Sequence, residues 1–177
     1  LMSVVVGSMM FPAFSTIVPV FRMEASWGLV NTSNRWISLF SCALPQIAGN
    51  LSFAIIVLSG YIRSLPIELE EAAYMEGCTT FKIFTKIVVP MTKPSFATVA
   101  IFSFLWSYND LFTQTFFLRI QPQWAITRLL KELTAMEGTN YGLMAAAVTI
   151  VVVPVIIIYA FLQKYIIKGM TAGAIKG

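Results

Sequence analysis

Four polar side chains stand inside long apolar stretches of this sequence and are its first candidates for chemistry: Gln46, Asn50, Asn109 and Asp110. Gln46 and Asn50 are four apart, next to Pro45, so a helix puts both on one face. Asn109 and Asp110 lie about 15 residues into a third apolar stretch, roughly 22 Å from its start at 1.5 Å per residue. Polar groups at such depth are candidates for lining a path through a membrane. The alternative is hydrogen bonding between helices, and for Asp110 an outer mouth filled with water. Catalytic groupings are missing from the sequence. It has no histidine, which excludes a histidine-ligated metal or a histidine-based triad. Glu70 and Glu71 are adjacent, so on a helix their side chains diverge by about 100° and do not form an acid–base pair. No Gly-x-x-x-x-Gly-Lys-Ser/Thr occurs, so the chain does not cradle ATP itself. The expectation is a protein that is not an enzyme and holds no metal or cofactor.

The elements that must carry these residues follow from composition. Hydrophobic residues make up 58% of the 177 and charged residues 11%, where a soluble domain carries roughly 45–50% and about 25%. There are too few polar residues to clothe a core in water. The net charge of +4 comes from basic residues spread singly over loops, which fits lipid headgroups better than nucleic acid. A bilayer core about 30 Å thick takes around 20 apolar helical residues to cross. Residues 1–21, 36–62, 94–118 and 138–163 qualify, the third with Asp110 as its one charge. The runs are continuous rather than alternating, so they are read as helices and not barrel strands. The fold class expected is all-α, a polytopic membrane protein with four transmembrane helices in one domain, 1–177. Pro12, Pro45 and Pro154 fall inside spans and are expected to kink them. The sequence opens inside an apolar segment without a leader, so the natural N-terminal part is expected to precede Leu1.

Four spans place loop 63–93 and the tail on one side and loops 22–35 and 119–137 on the other. The first side carries seven basic residues (Arg63, Lys82, Lys86, Lys93, Lys164, Lys168, Lys176), the second five (Arg22, Arg35, Arg119, Arg128, Lys131). The positive-inside rule then puts the long loop and the C-terminus in the cytoplasm. Cys78 belongs to that loop and Cys42 to an apolar run, so no disulfide between them is expected.

Loop 64–93 has its own logic. Pro66 suits a first helical turn, Glu68, Glu70 and Glu71 complement the positive end of the helix dipole, and Gly77 can take the left-handed conformation that ends a helix. A second short helix beginning at Thr79 or Thr80 sets Phe81, Phe84 and Ile87 along one face, and Pro90 is expected to stop it. Ala72 and Ala73 leave a patch of small side chains that another protein can approach closely. In the same residues, Glu71-Ala72-Ala73 is followed by Gly77 and, after nine residues, by Ile87-Val88-Val89-Pro90. This resembles the cytoplasmic-loop signature of permease subunits of bacterial binding-protein-dependent ABC importers, with Val89 where the family has Leu. The tail from Gly169 to Gly177 resembles the end of the carbohydrate-uptake branch, the maltose and glycerol-phosphate type. Ser107-Tyr108-Asn109-Asp110 resembles that branch's Trp-Asn-(Asp/Glu) element, with Tyr108 in the Trp position.

The resemblance covers nearly the whole chain and implies that these helices are the last four of six, in a bacterial inner membrane. It implies separate ATPase subunits that bind ATP and Mg, a second permease subunit, an extracytoplasmic solute-binding protein, and a sugar or sugar-like cargo. This chain then forms half of the translocation path. Glu71, Ala72, Ala73, Gly77, Ile87 and Pro90 are the implied contact with the ATPase. Loop 119–137 is expected to face outside, with Trp124 anchoring the binding protein or else resting at headgroup depth. A fragment of a secondary transporter or channel is the other reading; it calls for paired buried charges or inverted repeats, and neither is visible. A membrane enzyme is a third, and it lacks a cluster of reactive groups.

Overall fold

Proline, glycine and short polar residues decide where the apolar runs break. The computed structural model describes residues 2–136 and 140–174; among these it is helical, with short turns and no strand. Gly138, the expected start of the fourth span, and residues 175–177 of the tail motif lie outside the described residues.

The expected span 1–21 is divided in two. Helix α1 (Met2–Ser8) ends ahead of Pro12, and α2 (Ala13–Ser26) starts after it. Pro12 is the N-cap of α2, extended at φ −68° and ψ 124°. It donates no hydrogen bond and disfavours helix in the residue before it, so the chain breaks there rather than kinking. Helix α2 continues through Pro19 to Ser26 and is closed by Gly28, whose φ is +73°. The Gly28 amide donates to the Ala25 carbonyl at 3.1 Å and the Leu29 amide to the Glu24 carbonyl at 3.0 Å, the paired bonds of a glycine-capped helix end.

Helix α3 (Arg35–Ser64) is a single 30-residue helix through Pro45. Asn34 caps it, its side-chain oxygen accepting from the Trp36 amide at 3.0 Å, and Arg63 complements the dipole in its last turn. The long loop contains α4 (Glu68–Met75), α5 (Thr80–Ile83), a π turn (Phe84–Val88) and α6 (Val89–Met91). Pro90 does not stop the helix as expected. The π turn just before it widens the coil where the proline would otherwise strain an α-helical turn, and the chain stays helical to Met91. The break comes two residues later. The Thr92 hydroxyl donates to the Val88 carbonyl at 2.6 Å, a back-bond that bends helices, and Thr80–Met91 meets α7 (Lys93–Asn109) at 61°.

The expected span 94–118 is also interrupted: α7 stops at Asp110 and α8 (Leu111–Phe117) follows. A 3-10 turn (Gln121–Gln123), α9 (Ile126–Met136) and α10 (Tyr141–Ala174) complete the order. Among the described residues, α3 and Tyr141–Phe161 of α10 are long and apolar enough to cross a membrane, and the bent pair at Thr92 brings the number to three at most. Of the four expected spans, 36–62 lies in one helix, 138–163 is one helix from Tyr141 onward, and 1–21 and 94–118 are interrupted.

The chain divides into two compact units. In one (Leu1–Ser52 with Ser103–Ala160), Ile17, Val30, Cys42, Phe117 and Leu118 form the core, with Phe21 edge-on to Phe117. In the other (Phe53–Phe102 with Phe161–Gly177), Phe53 meets Phe102 edge-on, and Ile83, Val88, Thr92, Ser95 and Thr98 are buried. Many large apolar side chains are exposed, among them Val152, Val153, Ile156 and Ile157 of α10. An apolar surface of that extent needs lipid or protein against it.

Glu24, in the segment that connects the first two spans, is buried in the first core. Its carboxyl accepts a hydrogen bond from the buried Ser41 hydroxyl. Burial pushes its pKa above the ordinary 4.5, and the Ser41 bond pulls the other way more weakly. A raised folded-state pKa means that stability is full below 4.5 and declines as pH rises from there to the folded-state pKa. Glu24→Gln keeps the shape and an acceptor for Ser41 and abolishes that decline. Glu24→Ala strands Ser41 and costs about 1–3 kcal/mol. Thermal unfolding of the full-length protein in detergent at pH 5 and pH 8 reads both; a wild type and Glu24→Gln with the same pH slope contradicts the assignment.

Candidate functional site

Two sets of polar or exposed residues stand out, one in each unit. The first is the corner at Gly77. Glu68, Glu70 and Glu71 occupy the first turn of α4, where the amide dipoles favour acid. Gly77 has φ +77°, the left-handed conformation expected for it. Its amide donates to the Tyr74 carbonyl at 2.9 Å, and the Cys78 amide reaches back to the Ala73 carbonyl at 3.0 Å. A β-carbon at Gly77 would meet nothing within 4 Å. Conformation, not space, therefore requires glycine here. Thr79 then caps α5, its hydroxyl accepting from the Lys82 amide at 3.4 Å.

Glu71, Ala72 and Gly77 are exposed at this corner and Ala73 is half-buried; along the second limb Ile87 is half-buried and Pro90 exposed. Phe81 and Phe84 point outward as well. The buried residues of that limb are Ile83 and Val88, five apart, because the π turn lengthens the helical repeat that the 3–4 spacing assumed. Tyr74, Met75 and Phe81, each more than 70% exposed, form an apolar rim around the corner. The sequence reading passed over Tyr74 and Met75; their position at the end of a glycine-capped helix was the available signal.

The second set lies where α7 gives way to α8. Asp110 (φ −77°, ψ 76°) leaves the helix and caps the next one, Oδ1 accepting from the Thr113 amide at 2.9 Å. Its Oδ2 accepts from Gln46 Nε2 at 3.0 Å, and Gln46 Oε1 accepts from the Ser107 hydroxyl at 2.7 Å. Gln114 joins this set: Nε2 donates to the Ser107 carbonyl at 2.8 Å and Oε1 accepts from the Thr127 hydroxyl. The structure thus brings Gln46 and Asp110 together, 64 residues apart in sequence. It leaves Asn50 and Asn109 on their own helices, bonded to the carbonyls of Gln46 at 2.9 Å and Leu105 at 2.8 Å. Gln114 was missed, and Ser107 was named only within the Ser107–Asp110 element and not as a polar partner of Gln46. Among the described residues no three His, Cys, Asp or Glu side chains gather to hold a metal.

Trp124 belongs to the same unit. Its indole N–H donates to the Arg119 carbonyl at 3.1 Å, and the Arg128 guanidinium lies 4.2 Å from its ring. Arg128 in turn donates to the Leu118 carbonyl at 2.6 Å and the Thr115 carbonyl at 3.2 Å, capping the end of α8. Gln123 Nε2 donates to the Thr32 and Ser33 carbonyls at 3.1 and 3.2 Å. Trp124 is therefore half-buried and packed within its own chain, with part of its ring open.

Comparison with known proteins places these features in context. The family described as "Binding-protein-dependent transport system inner membrane component" matches residues 1–172. The chain is 34% identical over 176 residues to the melibiose/raffinose/stachyose import permease protein MelC of Bacillus subtilis, covering 99% of this chain and 62% of that protein. It is 34% identical to the trehalose transport system permease protein SugB of Mycobacterium tuberculosis, over 95% of this chain and 60% of that one. It is 31% identical to the alpha-glucoside transport system permease protein AglG of Rhizobium meliloti, over 100% and 47%. The chain thus spans about half to three-fifths of the length of these relatives.

The Asp110 geometry gives a direct expectation. Asp110→Ala removes a helix cap and leaves the Gln46 amide without its acceptor, at a cost of about 1–3 kcal/mol. Asp110→Asn keeps a capping oxygen, and an amide turned about its bond still pairs with Gln46, so it costs less than about 1 kcal/mol. Thermal unfolding in detergent separates the two. Equal losses for both variants would mean that charge, not the hydrogen-bond pattern, holds this break.

Proposed function

The chain belongs to the family of binding-protein-dependent transport system inner membrane components, and from that premise we propose that it is the transmembrane subunit of an ATP-driven sugar importer. It forms half of the path for a sugar or sugar-like solute delivered by an external binding protein. The observation that carries this reading is the match along 1–172, which includes the Glu71–Gly77 corner with its left-handed glycine. The relatives' names, for melibiose, trehalose and alpha-glucoside uptake, support a carbohydrate as cargo. A separate ATPase subunit binds ATP and Mg and seats the corner; a second permease chain completes the path.

The mechanism follows from stiffness. A loop that passes a push from an ATPase to membrane helices must not absorb it by bending. The two amide bonds at Gly77, the Thr79 cap and the continuous helix from Thr80 to Met91 make loop 64–93 a rigid bracket. Exposed Ala72 lets a partner surface come close, with Glu71 available for an ionic contact across it. In the path itself, Gln46 and Asp110 are hydrogen-bonded to each other in this conformation. A solute that reaches them must exchange for those bonds, which suits transient contact rather than tight capture.

Ala73→Trp forces a ring into a close contact, where overpacking costs about 1–3 kcal/mol. Gly77→Val puts a β-branched residue at φ +77°, a strained conformation whatever the space around it. Both are expected to abolish sugar transport in proteoliposomes and to release the ATPase or uncouple its hydrolysis from loaded binding protein. Glu71→Ala is milder, about 0.3–1 kcal/mol. Wild-type transport by Ala73→Trp and Gly77→Val in an intact complex refutes the coupling role.

Orientation has its own test. With loop 64–93 in the cytoplasm, an impermeant thiol reagent labels Cys78 in inside-out vesicles and not in intact cells, and Cys42 in neither, being buried. In the same membranes a cysteine at Trp124 cross-links to the binding protein from outside. Labelling of Cys78 from outside reverses the topology; no adduct from any position in 119–137 removes the binding-protein contact.

A further inference from the structure

Helix α2 packs on α8, and together they present two matched stripes. Phe14, Val18 and Phe21 follow one another at i, i+4 and i+7 on α2; Phe112 and Phe116 are four apart on α8, and Arg119 follows two residues past its end. Such spacing keeps each set on one face. Phe14 meets Phe112 edge-on at 4.6 Å, and Phe112 lies 5.1 Å from Phe116. The stripes therefore run side by side from an aromatic floor to the Arg119 end. There they line an open pocket of about 280 Å³ formed by Val18, Phe21, Thr115, Phe116 and Arg119. Phe14 and Val18 are exposed, so the track is open along its length.

The chemistry changes once along this track. Apart from the Thr115 hydroxyl, which is bonded to the Leu111 carbonyl, the track is hydrocarbon; its end is a cation. The Arg119 guanidinium lies over the Phe21 ring at 5.8 Å, which leaves its N–H donors in their own plane for an acceptor. The rim that carries it is held in place beforehand. Trp124 bonds the Arg119 carbonyl, and Arg128 is occupied with the Thr115 and Leu118 carbonyls.

We propose that the α2–α8 groove is a site for an anionic phospholipid, one acyl chain on the Phe14–Phe112–Phe116 track and the phosphate on Arg119. A neutral sugar does not fit, since these walls offer it one hydroxyl and one cation against apolar carbon. A free phosphate has no use for the track. A phospholipid matches both ends, and the family's place in a membrane supplies it. The inference requires the Phe14–Phe21 part of α2, and α8, to lie in a bilayer; it does not require the transport reading.

The test is lipid retention by the full-length permease in its complex, read by native mass spectrometry. The complex is delipidated and titrated with dioleoyl-phosphatidylglycerol or dioleoyl-phosphatidylcholine. Phosphatidylglycerol is expected to be retained in preference, and Arg119→Gln to weaken it about five-fold and to weaken phosphatidylcholine less, because choline already offsets that lipid's phosphate charge. Phe116→Ser is expected to weaken both lipids. Equal retention of the two lipids by the wild type, or an unchanged preference in Arg119→Gln, overturns the proposal. A second measurement tests the occupant: a cysteine at Val18 in the delipidated complex should react with N-ethylmaleimide and be protected by added phosphatidylglycerol. Protection already present without lipid means that a protein segment fills the groove, and the proposal fails.

Discussion

Backbone N–H and C=O groups cannot be left unpaired in hydrocarbon, where each costs several kcal/mol. Most of the local structure in this chain answers that demand. Apolar runs are helical because a helix pairs its own backbone. At several of the interruptions a specific group takes over the orphaned bonds, although α2 opens at Pro12 and α4 at Ile67 without a side-chain cap. Glycine in the left-handed conformation closes α2 and α4; Asn34, Thr79, Asp110 and Asn140 open α3, α5, α8 and α10 with side-chain oxygens; Arg128 closes α8 from a distance.

The same demand explains where polar chemistry collects. Asp110 breaks the third apolar stretch and is then held by the amide it caps and by Gln46. Gln114 and Thr127 extend the pattern. A break at depth is thus both a source of polar groups and a reason for them to be tied together.

At the Gly77 corner the end of α4 is closed by backbone alone, so the exposed side chains of that helix end take no part in capping it. That division separates rigidity from recognition. The exposed rim of Tyr74, Met75 and Phe81 around a small-residue patch has the make-up of an interface core, where aromatic side chains and Met are enriched.

The sequence by itself determined the membrane class, the helical character of the runs and the conformation of Gly77, because these rest on hydrophobic length and on what single residue types permit locally. It also placed Gln46 and Asp110 among the residues to watch. Only the tertiary structure decided which polar residues meet. Gln46 finds Asp110 across 64 positions, whereas Asn50 and Asn109, equally polar in the sequence, turn back on their own helices. It also decided that Pro12 and Asp110 break their runs while Pro19, Pro45 and Pro90 do not. A hydropathy count is blind to that difference, because whether a run kinks or stops depends on what nearby backbone and side-chain groups can satisfy its loose ends.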